Sequence, residues 1–342
     1  MRIVHVILTN RFAGSERYAI ELANAQSASH DVTLILSRTA HRDRPTGYSH
    51  KVDPRVKILW VGRWLGRWQA RRWIRRLRPD VAHAHLSDGC KALGGLQDLR
   101  GTVLRVATLH MRYKPQQHQN LDALVAIAPW QLQEVPSQLR AHTVHINNWT
   151  LPYAPSPGAR ALMRARHGIA EDAWVLGSVG RVEHTKGLDV LLDAFEMAAL
   201  PGACLVIVGQ GAEVEALKQR KVPGVLFVGF AEKPQDWLAA FDVFVSSARE
   251  ESFGLVMLEA AAAGLPIIAT ATEGARHLAD DVVETIVPVE DPAALAKALR
   301  DAFEERPLRR QKDLRKYAVE TSVAEIFSFY QRERSVVVKA GA

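Results

Sequence analysis

Two glutamates, Glu251 and Glu259, stand with seven residues between them in REESFGLVMLEAAAAGLPIIAT (249–270), a segment that is otherwise largely apolar. An unpaired carboxylate is costly to bury in such surroundings, so each needs a partner. Carboxylates accept hydrogen bonds from hydroxyls and suit the diols of a ribose or a sugar ring. Read as a helix over 254–263, the segment has Ser252 near its cap and Glu251 just before the first turn, with Leu255, Leu258 and Ala262 on an apolar stripe. On that reading the two carboxylates differ by about 80 degrees in facing and address different parts of one extended ligand. The N–H groups of residues 253–256 are then free for an anionic or hydroxylated group. A capping acid plus a half-exposed surface acid is the plainer alternative, and it accounts for Glu251 better than for Glu259.

Cations are placed with similar economy in GSVGRVEHTKG (177–187). A strand ends at Val179, Gly180 allows a tight turn, and Arg181 and Lys186 bracket a loop that enters a helix over 188–199. Fixed cations beside a helix N-terminus suit a diphosphate, because side-chain charge and unsatisfied N–H groups point at the same anion. An ordinary solvated loop is the alternative. Gly209 and Gly211 in IVGQGAEVEAL (207–217) mark another strand-to-helix turn. Neither this turn nor FAGSER (12–17) completes GxGxxG, and no glycine-rich loop ends in GK[ST], which counts against a dinucleotide oxidoreductase and a P-loop ATPase.

These groups need a scaffold. A chain of 342 residues exceeds the size at which single cores stop growing and suggests two domains. Short Val- and Ile-rich runs alternate with helical patterns through both halves, which predicts α/β architecture: two doubly wound, Rossmann-like parallel sheets facing across a deep cleft. The Pro-rich LPYAPSPGA (151–159) marks the break. The expected division is a first domain over 1–150, a linker over 151–170, a second domain over 171–318, and a C-terminal helix and tail over 319–342 that closes the second domain or braces the first. The N-terminus enters a strand without a signal-peptide pattern, and no apolar run is long enough to span a bilayer, so a cytoplasmic location is expected. Cys90 and Cys204 lack disulfide or metal spacing and read as packing residues. The net charge of +7 suits anionic partners without choosing among them.

Residues 60–80, WVGRWLGRWQARRWIRRLRPD, combine four tryptophans with seven arginines. On a helix over 64–78, Ala70, Trp73, Ile74 and Leu77 form the core stripe, while Trp64 and Trp68 project with Arg71 and Arg75 on another face. Rings among arginines suit an anionic membrane surface or a phosphorylated, lipid-linked acceptor. A basic helix with its rings packed on loops, or a nucleic-acid surface, are the alternatives, and the last leaves the paired acids unexplained. His83 and His85 alternate at a strand end, are expected on opposite sides of the sheet, and are candidates for acceptor contact.

The segments GRVEHTKG, VGQG and EESFGLVMLEAAAAGLPII resemble the signature segments of the retaining, nucleotide-sugar-dependent glycosyltransferases of family 4, with the E-x7-E motif as Glu251 and Glu259. FAGSERYAIELA, RPDVAHAH and VHINN echo the family in the first half. The resemblance implies the GT-B fold and a transferase using a UDP- or GDP-linked sugar and a glycan or lipid-linked acceptor, without nucleic acid. It implies that Arg181 and Lys186 hold the donor diphosphate and neutralise the leaving group. Glu251, with the backbone of Ser252, Phe253 and Gly254, binds donor sugar and phosphate, Glu259 accepts from the ribose, and Gly180 and Gly209 line the donor site. Gly14 lets the first loop approach the diphosphate, and His110, in ATLHMR, lies near the reacting carbon and the acceptor hydroxyl. Catalytic roles thus fall to His110, Glu251, Arg181 and Lys186. No Asp-x-Asp segment offers a metal site, and two cations stand where a metal would, so neither metal nor cofactor is expected.

The chain departs from the family at Asn148-Trp149, where relatives often have Asn-Gly, and at TEGARHL (272–278), where a Gly-Gly pair and an acid are usual. The first bears on how the domains close, the second on which sugar is bound. With the resemblance and the basic helix together, the expected setting is lipopolysaccharide, capsule or exopolysaccharide synthesis, peripheral on the cytoplasmic face of the inner membrane. A nucleotide-sugar hydrolase or epimerase, or a non-catalytic glycan- or nucleotide-binding protein, shares the same contacts and is the competing reading.

Overall fold

A computed structural model describes residues 1–10, 12–44 and 47–341. The end of the expected C-terminal tail, Ala342, lies outside the described residues. The chain forms two compact units, Met1–Trp149 with Lys316–Ala342, and Thr150–Arg315.

The first unit holds a parallel sheet of β1 (Arg2–Ile7), β2 (Asp31–Ser37), β3 (Lys57–Val61), β4 (Val81–His85), β5 (Leu104–Leu109), β6 (Ala123–Ala126) and β7 (Thr143–His145). Their order is β3-β2-β1-β4-β5-β6-β7. The switch of direction at β1 and β4 places the loops after those strands where α/β sheets carry ligands. β1, β4 and β5 are buried on both faces because helices cover each side, so they read as continuous rather than alternating apolar runs. The helix Val319–Gly341 belongs to this unit: Tyr330 is fully buried against His83, Ser322 donates to the Asn147 carbonyl at 2.9 Å, and the buried Glu333 meets His142 at 2.7 Å.

The second unit repeats the scheme with β8 (Trp174–Val179), β9 (Ala203–Val208), β10 (Val225–Gly229), β11 (Val243–Ser246), β12 (Ile267–Thr270) and β13 (Thr285–Val287), all parallel, in the order β10-β9-β8-β11-β12-β13. The helices Leu188–Ala198 and Pro292–Glu305 pack on one side, and Leu191, Phe195, Leu295 and Leu299 fill that core. Part of the segment read as a linker is folded into this unit. Ala159–Arg166 is a helix, and the buried Arg164 guanidinium donates to the carbonyls of Ala240, Glu171 and Ala173 and to Asp242 at 2.8 Å. A buried guanidinium needs this many acceptors, and five N–H groups in a planar fork supply the match.

Candidate active site

The loops after β8 and β11 meet at one pocket. Gly180, Arg181, Lys186, Ser247, Ala248 and Val256 are among the residues that line it. The chain leaves β8, turns through Gly180, makes a short 3-10 turn over His184–Lys186, and enters the helix Leu188–Ala198 through Gly187 at φ 58°. Side chains rarely adopt that backbone, and a Cβ there would also lie 2.1 Å from the Ser247 carbonyl oxygen. The glycine lets the two loops touch. Ser247 Oγ donates to the Lys186 carbonyl at 3.0 Å, and the N–H groups of Arg249 and Glu250 donate to the Thr185 carbonyl at 2.9 and 3.2 Å.

Across this seam Lys186 Nζ lies 2.7 Å from Glu251 Oε2, both side chains being largely buried. The other carboxylate oxygen accepts from the N–H of Gly254 at 3.1 Å and of Phe253 at 3.5 Å. Burial pushes the Glu251 carboxyl up, but Lys186 and the two N–H groups outweigh it and hold the group below its ordinary value. Glu251 is therefore a fixed anion at neutral pH.

Two sequence expectations are corrected here. The helix starts at Leu255 with Gly254, at φ 93°, as its cap, so Ser252 is not the capping residue. The N–H groups of Phe253 and Gly254 are not free either, because Glu251 folds back to accept from them. Since residues 251–254 are not helical, the facing angle worked out for Glu251 and Glu259 does not apply. Glu259 sits half-buried on the helix Leu255–Ala262 and is not among the described residues lining the pocket.

Arg181 remains well exposed, with Glu183 Oε1 2.8 Å from its guanidinium. Gly209 has a structural reason to be glycine: a Cβ would lie 1.7 Å from the Gly180 carbonyl oxygen, and Gly211 is as tightly set against Val182. The Gly-x-Gly turn thus lies flush on the loop that carries Arg181. The departing segment TEGARHL forms the helix Glu273–Leu278, whose Gly274 N–H donates to the Glu251 carbonyl at 2.8 Å and whose surface is pressed against the Phe253 backbone.

Arg249 escaped the sequence reading. Its guanidinium grips Asp189 bidentately, at 2.8 Å to each oxygen, and also meets Glu290 and the His184 carbonyl. Those acids, Asp189 first, hold it above its ordinary pKa. The arginine fastens the loop bearing Lys186 to the loop bearing Glu251. Nothing local in the sequence links positions 189, 249 and 290.

In the first unit Gly14 is the exposed first residue of the helix Gly14–Gln26. His83 and His85 do not face opposite sides: the side-chain repeat of a strand is two residues, so positions i and i+2 share a face. Their rings stack at 4.5 Å between centroids. His110 follows β5 and is 3.2 Å from His85 through Nε2 and Nδ1 respectively. It lines a small cavity with Leu86, Ser87, Met111, Arg112 and Lys114. Burial lowers its pKa to about 3, so the imidazole is neutral. Trp149, the departure from Asn-Gly, is buried within this unit, stacked on Tyr18 at 4.3 Å and donating to Glu21 at 2.6 Å, and Tyr18 meets His110 edge-on at 5.0 Å. His5, a polar residue inside an apolar strand, completes the cluster and was missed. Its place in β1 was the available signal.

The tryptophan-arginine face is also corrected. The helix runs Gly66–Leu77, which leaves Trp64 in the turn before it. Ala70 and Ile74 are buried, with Trp73 and Leu77 packed beside them. Arg71 donates to the Lys91 and Ala92 carbonyls, and Arg75 holds Asp98 through two bonds of 2.7 and 2.9 Å, so both are engaged within the unit. Trp64 is 90% and Trp68 55% exposed, and the arginines beside them are Arg63 and Arg72. Among the described residues no helix is long and apolar enough to cross a membrane.

Comparison with known proteins agrees with this architecture. Residues 12–176 match the family described as Glycosyltransferase Family 4, and residues 159–321 match Glycosyl transferases group 1. The chain is 27% identical over 320 residues to the lipopolysaccharide core biosynthesis glycosyltransferase LpsE of Rhizobium meliloti (strain 1021), covering 90% of this chain and 91% of that one. It is 30% identical over 190 residues to the lipopolysaccharide core biosynthesis mannosyltransferase LpsB of the same organism, covering 51% and 52% of the two chains. The crystal structure of Anabaena Alr3699/HepE in complex with UDP and glucose superposes with a TM-score of 0.72 at 19% identity, covering 99% of this chain and 98% of that one. With the two family matches together running from residue 12 to 321 and the fold of GT-B enzymes in both units, the chain belongs to glycosyltransferase family 4.

Proposed function

We propose that the protein is a retaining transferase that moves a sugar from a UDP- or GDP-linked donor to a hydroxyl of a glycan or lipid-linked acceptor in bacterial envelope polysaccharide or lipopolysaccharide synthesis. The observation that carries this reading is the Lys186–Glu251 pair: Lys186 lines the same pocket as Arg181, and the Glu251 carboxylate beside it is held by the Phe253 and Gly254 N–H groups.

The chemistry follows from charge. Breaking the bond from sugar to diphosphate leaves negative charge on the departing oxygen and positive charge on the sugar. Arg181 and Lys186 meet the first, and preorganised cations at a developing charge are where a protein lowers the barrier most. Glu251 shares Lys186 and offers its carboxylate to sugar hydroxyls, while Glu259 accepts from the ribose. Ser252, Gly180 and Gly209 shape the donor loops. With two cations at the diphosphate the reaction runs without a divalent metal. Glu251 acts as a fixed hydrogen-bond acceptor beside Lys186, and attack by the acceptor on the face the leaving group departs from demands no covalent nucleophile from the protein. His110, neutral and lining its own small cavity, contacts the reacting sugar or the acceptor hydroxyl. Gly14, at the start of the helix Gly14–Gln26, is assigned to the donor diphosphate.

The exposed Trp64, Leu65 and Trp68, among Arg63, Arg67, Arg72 and Arg76, suit an anionic membrane surface on which a lipid-linked acceptor is presented. That agrees with a place on the cytoplasmic face of the inner membrane.

The test is product analysis. Purified protein is incubated with UDP- and GDP-sugars, with and without glycan acceptors. A new glycoside with the donor's anomeric configuration, formed only with acceptor and in excess EDTA, is expected. Nucleotide release without any glycoside would replace this reading by a hydrolase, and an altered donor sugar by an epimerase.

A further inference from the structure

Imidazoles of the first unit, buried at His5 and His85 and partly buried at His110, form a continuous chain. Gln26 Oε1 lies 2.8 Å from His5 Nε2, His5 Nδ1 is 3.1 Å from His85 Nε2, and His85 Nδ1 is 3.2 Å from His110 Nε2. Gln26, His5 and His85 are at most 2% exposed. Their surroundings leave them uncharged: burial lowers His5 to about 4 and His110 to about 3, and lowers His85 well below its ordinary value.

A neutral imidazole has one N–H and one bare nitrogen. A row of them joined nitrogen to nitrogen must therefore be oriented all one way. The amide oxygen at one end can only accept, so His5 donates from Nε2 and accepts at Nδ1. His85 must then donate from Nε2 and accept at Nδ1, and His110 must donate from Nε2. What remains at His110 is a bare Nδ1. From this geometry we infer that Gln26 is a positioning residue for His110: through His5 and His85 it fixes the Nε2–H tautomer, so that His110 meets a substrate hydroxyl as a hydrogen-bond acceptor. This rests on the functional reading of His110 given above.

The same cluster has the ligand spacing of a metal site, since ring nitrogens of His5, His83 and His85 lie within 4.8 Å of one another. All six nitrogens are already engaged, however. His83 bonds Tyr330 through Nδ1 and Thr108 Oγ1 at 2.8 Å through Nε2. A metal would have to break bonds that are costly to leave unmade in a buried network, so the hydrogen-bonded chain is the arrangement the residues fit.

Nitrogen-15 spectra of histidine-labelled protein test this directly, because the two neutral tautomers have distinct ring-nitrogen shifts. The His110 signals are those missing in His110→Ala. The expected result is Nε2–H at His110 in the wild type, a shift towards a tautomer mixture in Gln26→Leu, and recovery in Gln26→Glu, whose carboxylate also accepts from His5. In Gln26→Leu, kcat should fall roughly ten- to hundredfold, the scale seen when a metal-ligating histidine loses the partner that orients it, with nucleoside diphosphate affinity unchanged. An Nδ1–H tautomer at His110 in the wild type overturns the inference, even if Gln26→Leu does not fold. So does a kcat in Gln26→Leu equal to wild type, or stoichiometric zinc binding that displaces the chain. Wild-type transfer by His110→Ala would instead remove the functional reading of His110 while leaving the tautomer result to stand by itself.

Discussion

Lys186 and Glu251, 65 residues apart in the chain, form an ion pair of 2.7 Å that joins the loop after β8 to the loop after β11. The pair does two things at once. It closes the seam between the loops, and in the proposed function it holds an anion and a cation side by side for the hydroxyls and phosphate oxygens of a sugar diphosphate.

Removing either partner should therefore affect both stability and binding, but unequally. Lys186→Ala strands a largely buried carboxylate and should cost about 1–3 kcal/mol, read as the shift in urea midpoint, together with diphosphate binding. Glu251→Gln keeps an acceptor for the Gly254 N–H and should cost less in stability while still lowering kcat. Equal unfolding midpoints for Lys186→Ala and wild type would show that the pair does not hold the loops.

Gly209→Ala places a methyl 1.7 Å from the Gly180 carbonyl oxygen, a backbone atom that cannot swing aside. The loop carrying Arg181 must shift, at a cost of roughly 1–3 kcal/mol for the overpacked contact. Donor affinity should drop with it. Gly158→Ala, where a Cβ at φ 68° meets open space, is the control for replacing a positive-φ glycine without a clash. If the two variants bind donor equally well, the flush contact of the loops does not shape the site.

Acid should unfold the first unit early. His5, His83, His85 and His110 all have folded pKa values lowered by burial. Such groups take up protons in the unfolded chain first, so stability is full above the ordinary histidine value and is lost as pH falls below it. One pH unit below that value, each contributes about 1.4 kcal/mol of destabilisation. Denaturant midpoints compared at pH 7.5 and 5.5 should fall markedly in the wild type and less in His5→Asn. A midpoint unchanged between the two pH values would contradict the burial of these rings.

Much of this was legible in the sequence. The parallel sheets followed from Val- and Ile-rich runs separated by helical spacing, and the helix expected over 188–199 is found at Leu188–Ala198. What was not legible depended on partners distant in sequence. Arg71 and Arg75 looked free on a helical wheel because their acceptors, at residues 91, 92 and 98, belong to later elements. Ser252 looked like a cap because serine is a good one, but the turn needs a positive φ that Gly254 supplies. Arg249 is a surface arginine by its neighbours and a clamp only once Asp189 and Glu290 are brought to it.

The exposed rings make a separate claim. Trp64→Ser with Trp68→Ser should weaken co-sedimentation with vesicles containing phosphatidylglycerol by about tenfold, while leaving nucleotide binding and thermal stability unchanged, since neither ring is in the core. Unaltered co-sedimentation of the double variant would remove the membrane from the account.

The central claim is that Arg181, Lys186, Glu251 and Glu259 bind a nucleoside diphosphate, and calorimetric titration tests it most directly. UDP, GDP, ADP, dTDP and CMP are titrated into wild type, Lys186→Ala and Glu259→Ala, with magnesium and with EDTA. The account predicts that UDP or GDP binds the wild type equally well in both conditions and fails to bind either variant. Folded wild-type protein that binds none of these nucleotides, or variants that bind as the wild type does, would contradict it.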